Sequence, residues 1–290
     1  MLSRRIYICQ EIMLSYYHMS VALSLLGVVL ELTHGQDADL RRCFGDRRKV
    51  IDCDWEELSK LRTLRSPHEP MPRLRDLLEL VAQPELQHLW LLLDIKVDND
   101  ADNVMRLIAE TIKSVPPGAR PWNDRILLGI WAAKFLPLCV KYSPGFPITH
   151  IGFSTCYARQ FLKVPNVSFN IMQKVLLGPV GKSFIRDVKK AGRPLFIWTV
   201  NQAHLMKWGI QKELDGIITD DPKKFREVCD EWDDDEPPAH PSWAEWLSTF
   251  WLYMIIGTFW FRFKYRFPET VDQYTAKETR KTRYGLRLSG

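Results

Sequence analysis

The stretch Leu89–Lys96, LWLLLDIK, is an unbroken apolar run until Asp94 and closes on Ile95 and Lys96. A run of this length and composition reads as a strand buried on both faces, as in a parallel sheet. From there to Pro222, strand-like and helix-like runs alternate. Asp102–Val115 sets Val104, Leu107, Ile108 and Ile112 on one helical face. RILLGIW (Arg125–Trp131) is a strand and AKFLPLCVKY a short helix. ITHIGFS (Ile148–Ser154) is a strand, followed by helical YARQFLK. VSFNIM (Val167–Met172) is a strand, and Lys182–Ala191 a helix stopped by Gly192 and Pro194. PLFIWTVN (Pro194–Asn201) is a strand, Ala203–Leu214 a helix, and DGIITDDP (Asp215–Pro222) ends the series.

Six such strands joined through helices imply parallel pairing by βαβ crossovers. No Gly-x-Gly-x-x-Gly turn follows any of them, which removes support for dinucleotide binding. Polar groups stand at successive strand ends: Asp94 and Lys96, Ser154, Asn170, Trp198 to Asn201, and Thr219 with Asp220. An eight-stranded α/β barrel of the TIM type rings its active-site mouth in this way. Asp220, just before Pro222, reads instead as the cap of the next helix. Upstream, Pro72–Asp76 leads into a helix with Leu77, Leu78, Leu80 and Val81 apolar, and WEELSKLRTL is a short helix before it.

Of the 290 residues, 46% are hydrophobic and 26% charged, which excludes wholesale disorder. The net charge is +5, too small to suggest nucleic acid as a partner. Arg262–Gly290 holds eight Lys/Arg and three Asp/Glu, so the excess sits in the C-terminal tail. The six cysteines form no Cys-x-x-Cys pair and read as reduced, mostly buried thiols.

Two apolar segments bear on location. Ile12–Leu30 carries no charge and follows Arg4 and Arg5, as a signal anchor would, but it includes Tyr16, Tyr17, His18 and three serines. A buried helix or strand is the favoured reading there. Trp246–Phe261 is sixteen uncharged residues rich in aromatics, followed by Arg262, Lys264 and Arg266. It is short for a span, and its aromatic load suits the headgroup zone. Asp230–Pro241, acidic and rich in proline, reads as a linker before it.

MPRLRDLLELV, LLLDIK, FIWTVN and DGIITDDP, in that order across Met71–Pro222, resemble the glycerophosphodiester phosphodiesterase family. RRCFG…VIDCDWEELSKLRTLRSPHEPMPRL resembles its fungal branch, which hydrolyses phosphatidylglycerol by a phospholipase C activity. The resemblance implies an α/β barrel, a divalent cation (Mg²⁺ or Ca²⁺), and one histidine on each side as acid and base. It also implies attack by the headgroup's own glycerol hydroxyl, expelling diacylglycerol through a cyclic glycerophosphate.

The family's His-Arg-Gly is absent from the chain, and its Glu-x-Asp positions fall near His18 and Ser20. For the second histidine, LTHGQDADL admits two alignments. In the preferred one His34 is that histidine, with two residues inserted before Asp37; in the other Asp37 matches directly and Gln36 replaces the histidine. Asp94 stands where the family has Glu, as the implied metal ligand, with Lys96 on the same strand face to neutralise a phosphate oxygen. Simple pairing of Asp94 with Lys96 is the structural alternative. Asn170 is expected near the phosphate and Trp198 against the glycerol, with all four residues around one cavity.

The expected organisation is an atypical segment over 1–36 (an apolar helix or altered first strands), a barrel incomplete at its first strands over 37–229, a linker over 230–242, a membrane-associated segment over 243–267 and a basic tail over 268–290. The expected function is a membrane-associated phosphoric diester hydrolase acting on glycerophospholipid headgroups, with little or no turnover. The alternative is a non-catalytic barrel that binds headgroups or a protein at the membrane. Two explanations stand for the missing residues: a degenerate member, or a misread start replacing the first strand. The barrel is expected to face the cytosol, with the aromatic segment in the interface and a tail-anchored span as the other topology.

Overall fold

The computed structural model describes residues 22–25, 28–31, 40–233, 242–266 and 271–272. The chain divides into two compact units, one holding Ile12–Ile148 and the other Thr149–Gly290. The fold is α/β, with strands and helices alternating from Leu91 onward.

In the first unit, β1 (Ala22–Leu25) and β2 (Val28–Glu31) pair antiparallel. The apolar run over 12–30 is therefore not one continuous helix; its residues 12–21 lie outside the described ones. A small core of Leu40, Phe44, Val50, Cys53, Leu58 and Met71 follows. WEELSKLRTL is helical only over Trp55–Leu58, capped by Asp54, whose side chain accepts from the Glu57 N–H. Arg62 takes the Ser59 and Leu61 carbonyls, and the Thr63 N–H goes to the Glu69 carbonyl, so the bonds a longer helix needs are already committed. Helix α1 (Leu74–Val81) opens with a capping box in which Asp76 accepts from the Arg73 N–H at 2.8 Å.

Strand β3 (Leu91–Ile95) runs parallel to β4 (Ile126–Ile130), with Asp94 opposite Gly129 and Ile95 opposite Ile130. β4 is buried throughout, but β3 is not buried on both faces as expected. Leu91, Leu93 and Ile95 are buried, while Leu92 and Asp94 on the other face are half-buried. That second face carries the polar strand end. Helix α2 (Ala101–Ser114), capped by Asp100, buries Val104, Leu107, Ile108 and Ile112. Helix α3 (Leu136–Tyr142) meets it through Asp102, which accepts from Lys141 at 2.9 Å and from Tyr142 at 2.8 Å.

Strand β5 (Ile148–Gly152) starts where the units divide. In the second unit β6 (Val167–Met172), β7 (Leu195–Trp198) and β8 (Gly216–Ile217) are consecutive parallel neighbours. Within each unit the strands thus pair in chain order, without the reversal of a doubly wound sheet. Helix α4 (Pro179–Lys190) ends as expected. Gly192 takes φ 62° and donates to the Lys189 carbonyl, and Arg193 donates to Val188. Helices α5 (Ala203–Gln211) and α6 (Pro222–Asp230) complete the alternation. The cap of α6 is Asp221, not Asp220: its side chain accepts from the Lys224 N–H at 3.0 Å.

Helix α7 (Trp243–Arg266) is continuous for 24 residues. It turns its polar residues toward the second unit. Glu245 pairs with His204 at 2.6 Å, Thr249 is buried, and the Tyr253 hydroxyl donates to the Val175 carbonyl at 2.6 Å. Its large apolar side chains point away, Trp243 at 91% exposure, Trp251 at 60% and Phe250 at 59%. No described helix is long and apolar enough to cross a membrane. Beyond it, Val271 is buried and Asp272 pairs with Lys163 at 2.7 Å. Among the described cysteines Cys53 and Cys139 are buried, Cys43 and Cys229 half-buried and Cys156 exposed, and none is in a disulfide. Burial pushes the Cys139 thiol up to about 12.

Candidate functional site

The strand ends carry two groups of polar residues, one in each unit. In the first, the period-2 alternation of β3 puts Asp94 and Lys96 on one face. Lys96 Nζ donates to Asp94 Oδ2 at 2.7 Å, and both side chains keep less than a fifth of their exposure. The parallel register brings the end of β4 alongside, so that Trp131 Nε1 donates to Asp94 Oδ1 at 2.6 Å. The Lys96 ammonium also lies 5.0 Å from the centre of the Trp131 ring, a cation–π contact. Lys134 reaches back to the Val97 carbonyl at 3.1 Å. Asp100, further along the same turn, is occupied as the cap of α2.

The pairing of Asp94 with Lys96 is thus present, and it bears on the expected metal role. Each Asp94 oxygen already accepts from a donor, and the described residues contain no group of three His, Cys, Asp or Glu able to hold a metal. A hard cation such as Mg²⁺ or Ca²⁺ takes six or more oxygen ligands. Asp94 stands as acceptor of the Trp131 and Lys96 hydrogen bonds, and a full ligand set for such a cation is not found among the described residues. An indole N–H and an ammonium are both donors, and each takes one lone pair of an oxygen that has two. Trp131 and Lys134 were not singled out from sequence. The one available signal was an aromatic residue closing RILLGIW.

In the second unit, Asn170 is buried at 2% exposure, and its Oδ1 has no hydrogen-bond partner among the described residues. Trp198 Nε1 donates to the Asn170 backbone carbonyl at 3.0 Å, so these two expected residues are together. Next to them, Asn201 joins the ends of β7 and β8. Its Nδ2 donates to Asp220 at 2.7 Å, while its Oδ1 accepts from the Thr219 hydroxyl at 3.0 Å and the Asp220 N–H at 2.9 Å. Thr219 in turn accepts from the Asp221 N–H at 3.1 Å. Asp220 therefore clasps two strand ends. His34, with Gln36 and Asp37, lies outside the described residues.

Residues 32–224 match the Glycerophosphoryl diester phosphodiesterase family. Among solved structures, a phosphodiesterase of Oleispira antarctica in complex with its product sn-glycerol-3-phosphate superposes with a TM-score of 0.59 at 18% identity, over 72% of this chain and 82% of its own. A Silicibacter pomeroyi protein assigned as a glycerophosphoryl diester phosphodiesterase gives 0.58 at 17%, over 72% and 80%. A glycerophosphodiester phosphodiesterase of Parabacteroides distasonis gives 0.54 at 19%, over 69% and 76%. At these identities the likeness is one of fold.

Proposed function

The chain belongs to the glycerophosphoryl diester phosphodiesterase family, and from that premise we propose that it engages glycerophospholipid headgroups of the phosphatidylglycerol kind at a membrane surface, turning them over little or not at all. The observation that carries this reading is the end of β3. Lys96, held by Asp94 and Trp131, offers an ammonium to a phosphate. Asn170 and Trp198 are proposed to serve the headgroup, Asn170 through its unused acceptor and Trp198 through its ring.

Full hydrolysis is the second reading, and family membership favours it. In that reaction the headgroup glycerol hydroxyl attacks phosphorus and gives up its proton to a base. Diacylglycerol leaves with a proton from an acid, and a cyclic glycerophosphate forms. The described site supplies the cation of Lys96 to this scheme, and the chain has no His-Arg-Gly histidine to take the proton. Loss of an acid or base partner alone removes about two to four orders of magnitude in rate. Purified chain incubated with phosphatidylglycerol vesicles, with or without Mg²⁺ or Ca²⁺, should release diacylglycerol only at background rate. Robust release that Asp94→Ala abolishes would establish the hydrolase reading and refute this one.

The membrane is proposed to be met by α7, with the barrel on the cytosolic side. Trp243, Leu247, Phe250, Trp251, Met254 and Ile255 form its exposed apolar stripe, a surface suited to lying in the headgroup zone. The return of Asp272 to Lys163 supports a tail that stays on the side of the second unit, against a tail-anchored span. Deleting residues 243–290 should move the protein from the membrane to the soluble fraction. A tag placed after Gly290 should stay open to protease added from the cytosolic side; a protected tag would mean a span.

A further inference from the structure

We propose that α7 seats the strand-end edge of the second unit on an anionic lipid surface, so that this edge meets headgroups still in their leaflet. The inference rests on the reading above that α7 meets the membrane, and it adds which side of the unit then faces the lipid. Strands β6, β7 and β8 are parallel neighbours, so the segments that leave them all start at one edge. Helix α7 is tied to two of those segments. The Tyr253 hydroxyl donates to the carbonyl of Val175, just beyond β6, at 2.6 Å. Gly178, at the end of the same turn, lies so near that a Cβ there would sit 3.7 Å from the Tyr253 ring. Glu245 meets His204, in the first turn of α5 just beyond β7, at 2.6 Å. Gln173 braces the two segments against each other, its Nε2 donating to the Leu205 carbonyl at 3.0 Å.

The half of α7 that makes these contacts also carries the exposed apolar side chains Leu247, Phe250, Trp251 and Met254. At the same edge, Val180 in the first turn of α4 is 52% exposed, and Lys174 and Lys182 are exposed beside it in sequence. Aromatic and aliphatic groups flanked by ammonium groups suit the headgroup zone, where rings sit at the interface and cations reach the phosphates. The chain that continues from α7 has the same sign of charge, with eight Lys/Arg against three Asp/Glu over Arg262–Gly290. A basic segment beside an apolar stripe is drawn to an anionic leaflet. A second copy of the chain would bring the same positive charge to the contact, which opposes pairing, whereas an anionic bilayer complements it.

Hydrogen–deuterium exchange of the full chain, with and without phosphatidylcholine vesicles that contain phosphatidylserine, tests this. Phosphatidylserine supplies a negative surface without a glycerol headgroup, so the test of orientation is separate from headgroup recognition. Binding should slow exchange in α7 and in residues 173–178 and 199–204. Residues 190–194 and 212–215, which enter β7 and β8 at the opposite edge, should be unchanged. Vesicles of phosphatidylcholine alone should bind at least about tenfold more weakly. Tyr253→Phe combined with Glu245→Ala cuts both ties and keeps the apolar stripe. That variant should bind anionic vesicles within about twofold of the unmodified chain and lose the slowing at 173–178 and 199–204. Circular dichroism checks its fold, and the measurement on the unmodified chain needs no variant. Slowing confined to α7, slowing at 190–194, or slowing at 173–178 that survives the double substitution overturns the inference and leaves membrane contact by α7 standing. No vesicle binding overturns that contact and the inference with it. Equal binding to neutral vesicles overturns the assignment to an anionic surface. A lipid-free dimer in sedimentation, with α7 protected, gives the stripe to a second copy and overturns the inference.

Discussion

Replacing Arg125 by alanine should destabilise the chain by about 4 kcal/mol, the largest effect expected of any single substitution discussed here. Arg125 is 1% exposed, and its guanidinium is solvated by protein carbonyls. Nη2 donates to Val81 at 2.7 Å and to Leu86 at 2.9 Å, Nε donates to Leu89 at 2.9 Å, and Nη1 reaches Pro117 at 3.4 Å. These carbonyls end α1, the turn after it and the loops that enter β3 and follow α2, so one side chain gathers the amino-terminal approaches of two parallel strands. Burial holds the Arg125 pKa below the usual guanidinium range, which here still leaves the group charged. Alanine would leave these carbonyls buried without a donor, at about 1–3 kcal/mol for each that water cannot reach. The thermal midpoint should fall by about 12 °C. Lysine in its place should recover only part, because its donors radiate from one atom whereas the guanidinium fork spreads across the carbonyls. A midpoint unchanged in the alanine variant would mean that water satisfies those carbonyls.

Gly181→Ala should cost about 3 kcal/mol and should not be rescued by trimming any neighbouring side chain. Gly181 lies in the first turn of α4, where a Cβ would meet the backbone of Leu176, its Cα at 2.3 Å and its carbonyl carbon at 2.4 Å. A clash with backbone is relieved only by moving the helix or the turn before it. That turn includes Val175, whose carbonyl receives the Tyr253 hydroxyl, so the variant should also loosen α7 from the second unit. Faster amide exchange in α7 of Gly181→Ala would register this. Unchanged stability and unchanged exchange would show that the turn adapts freely.

The strands were legible because each is a short apolar run bounded by charge, glycine or proline, as LWLLLDIK, RILLGIW and VSFNIM are. Helix ends with their own local chemistry were legible too: Gly192 stops α4 with the left-handed backbone its position suggested. Errors came where a bond formed at a distance competes with a local preference. WEELSKLRTL has the composition of a longer helix, yet Arg62 and Thr63 bond elsewhere and stop it after Leu58. Asp220 has the place of a cap, yet Asn201 takes it and Asp221 caps instead.

Sequence by itself determined that Asp94 and Lys96 share a strand face, because side chains on a strand alternate with period 2. It determined the order of strands and helices, and the family to which their motifs belong. Only the tertiary structure decided the second partner of Asp94, since Trp131 lies 37 residues away and is brought in through the register of β3 against β4. The same is true of Arg125, which reads as the ordinary start of a strand until four distant carbonyls enclose it. It is true also of α7, apolar around much of its circumference. Bonds from Glu245 to His204 and from Tyr253 to Val175 select which face turns inward and leave the aromatic stripe outside. Local chemistry is written in neighbouring residues, whereas a partner brought in by long-range pairing depends on geometry that no local window contains.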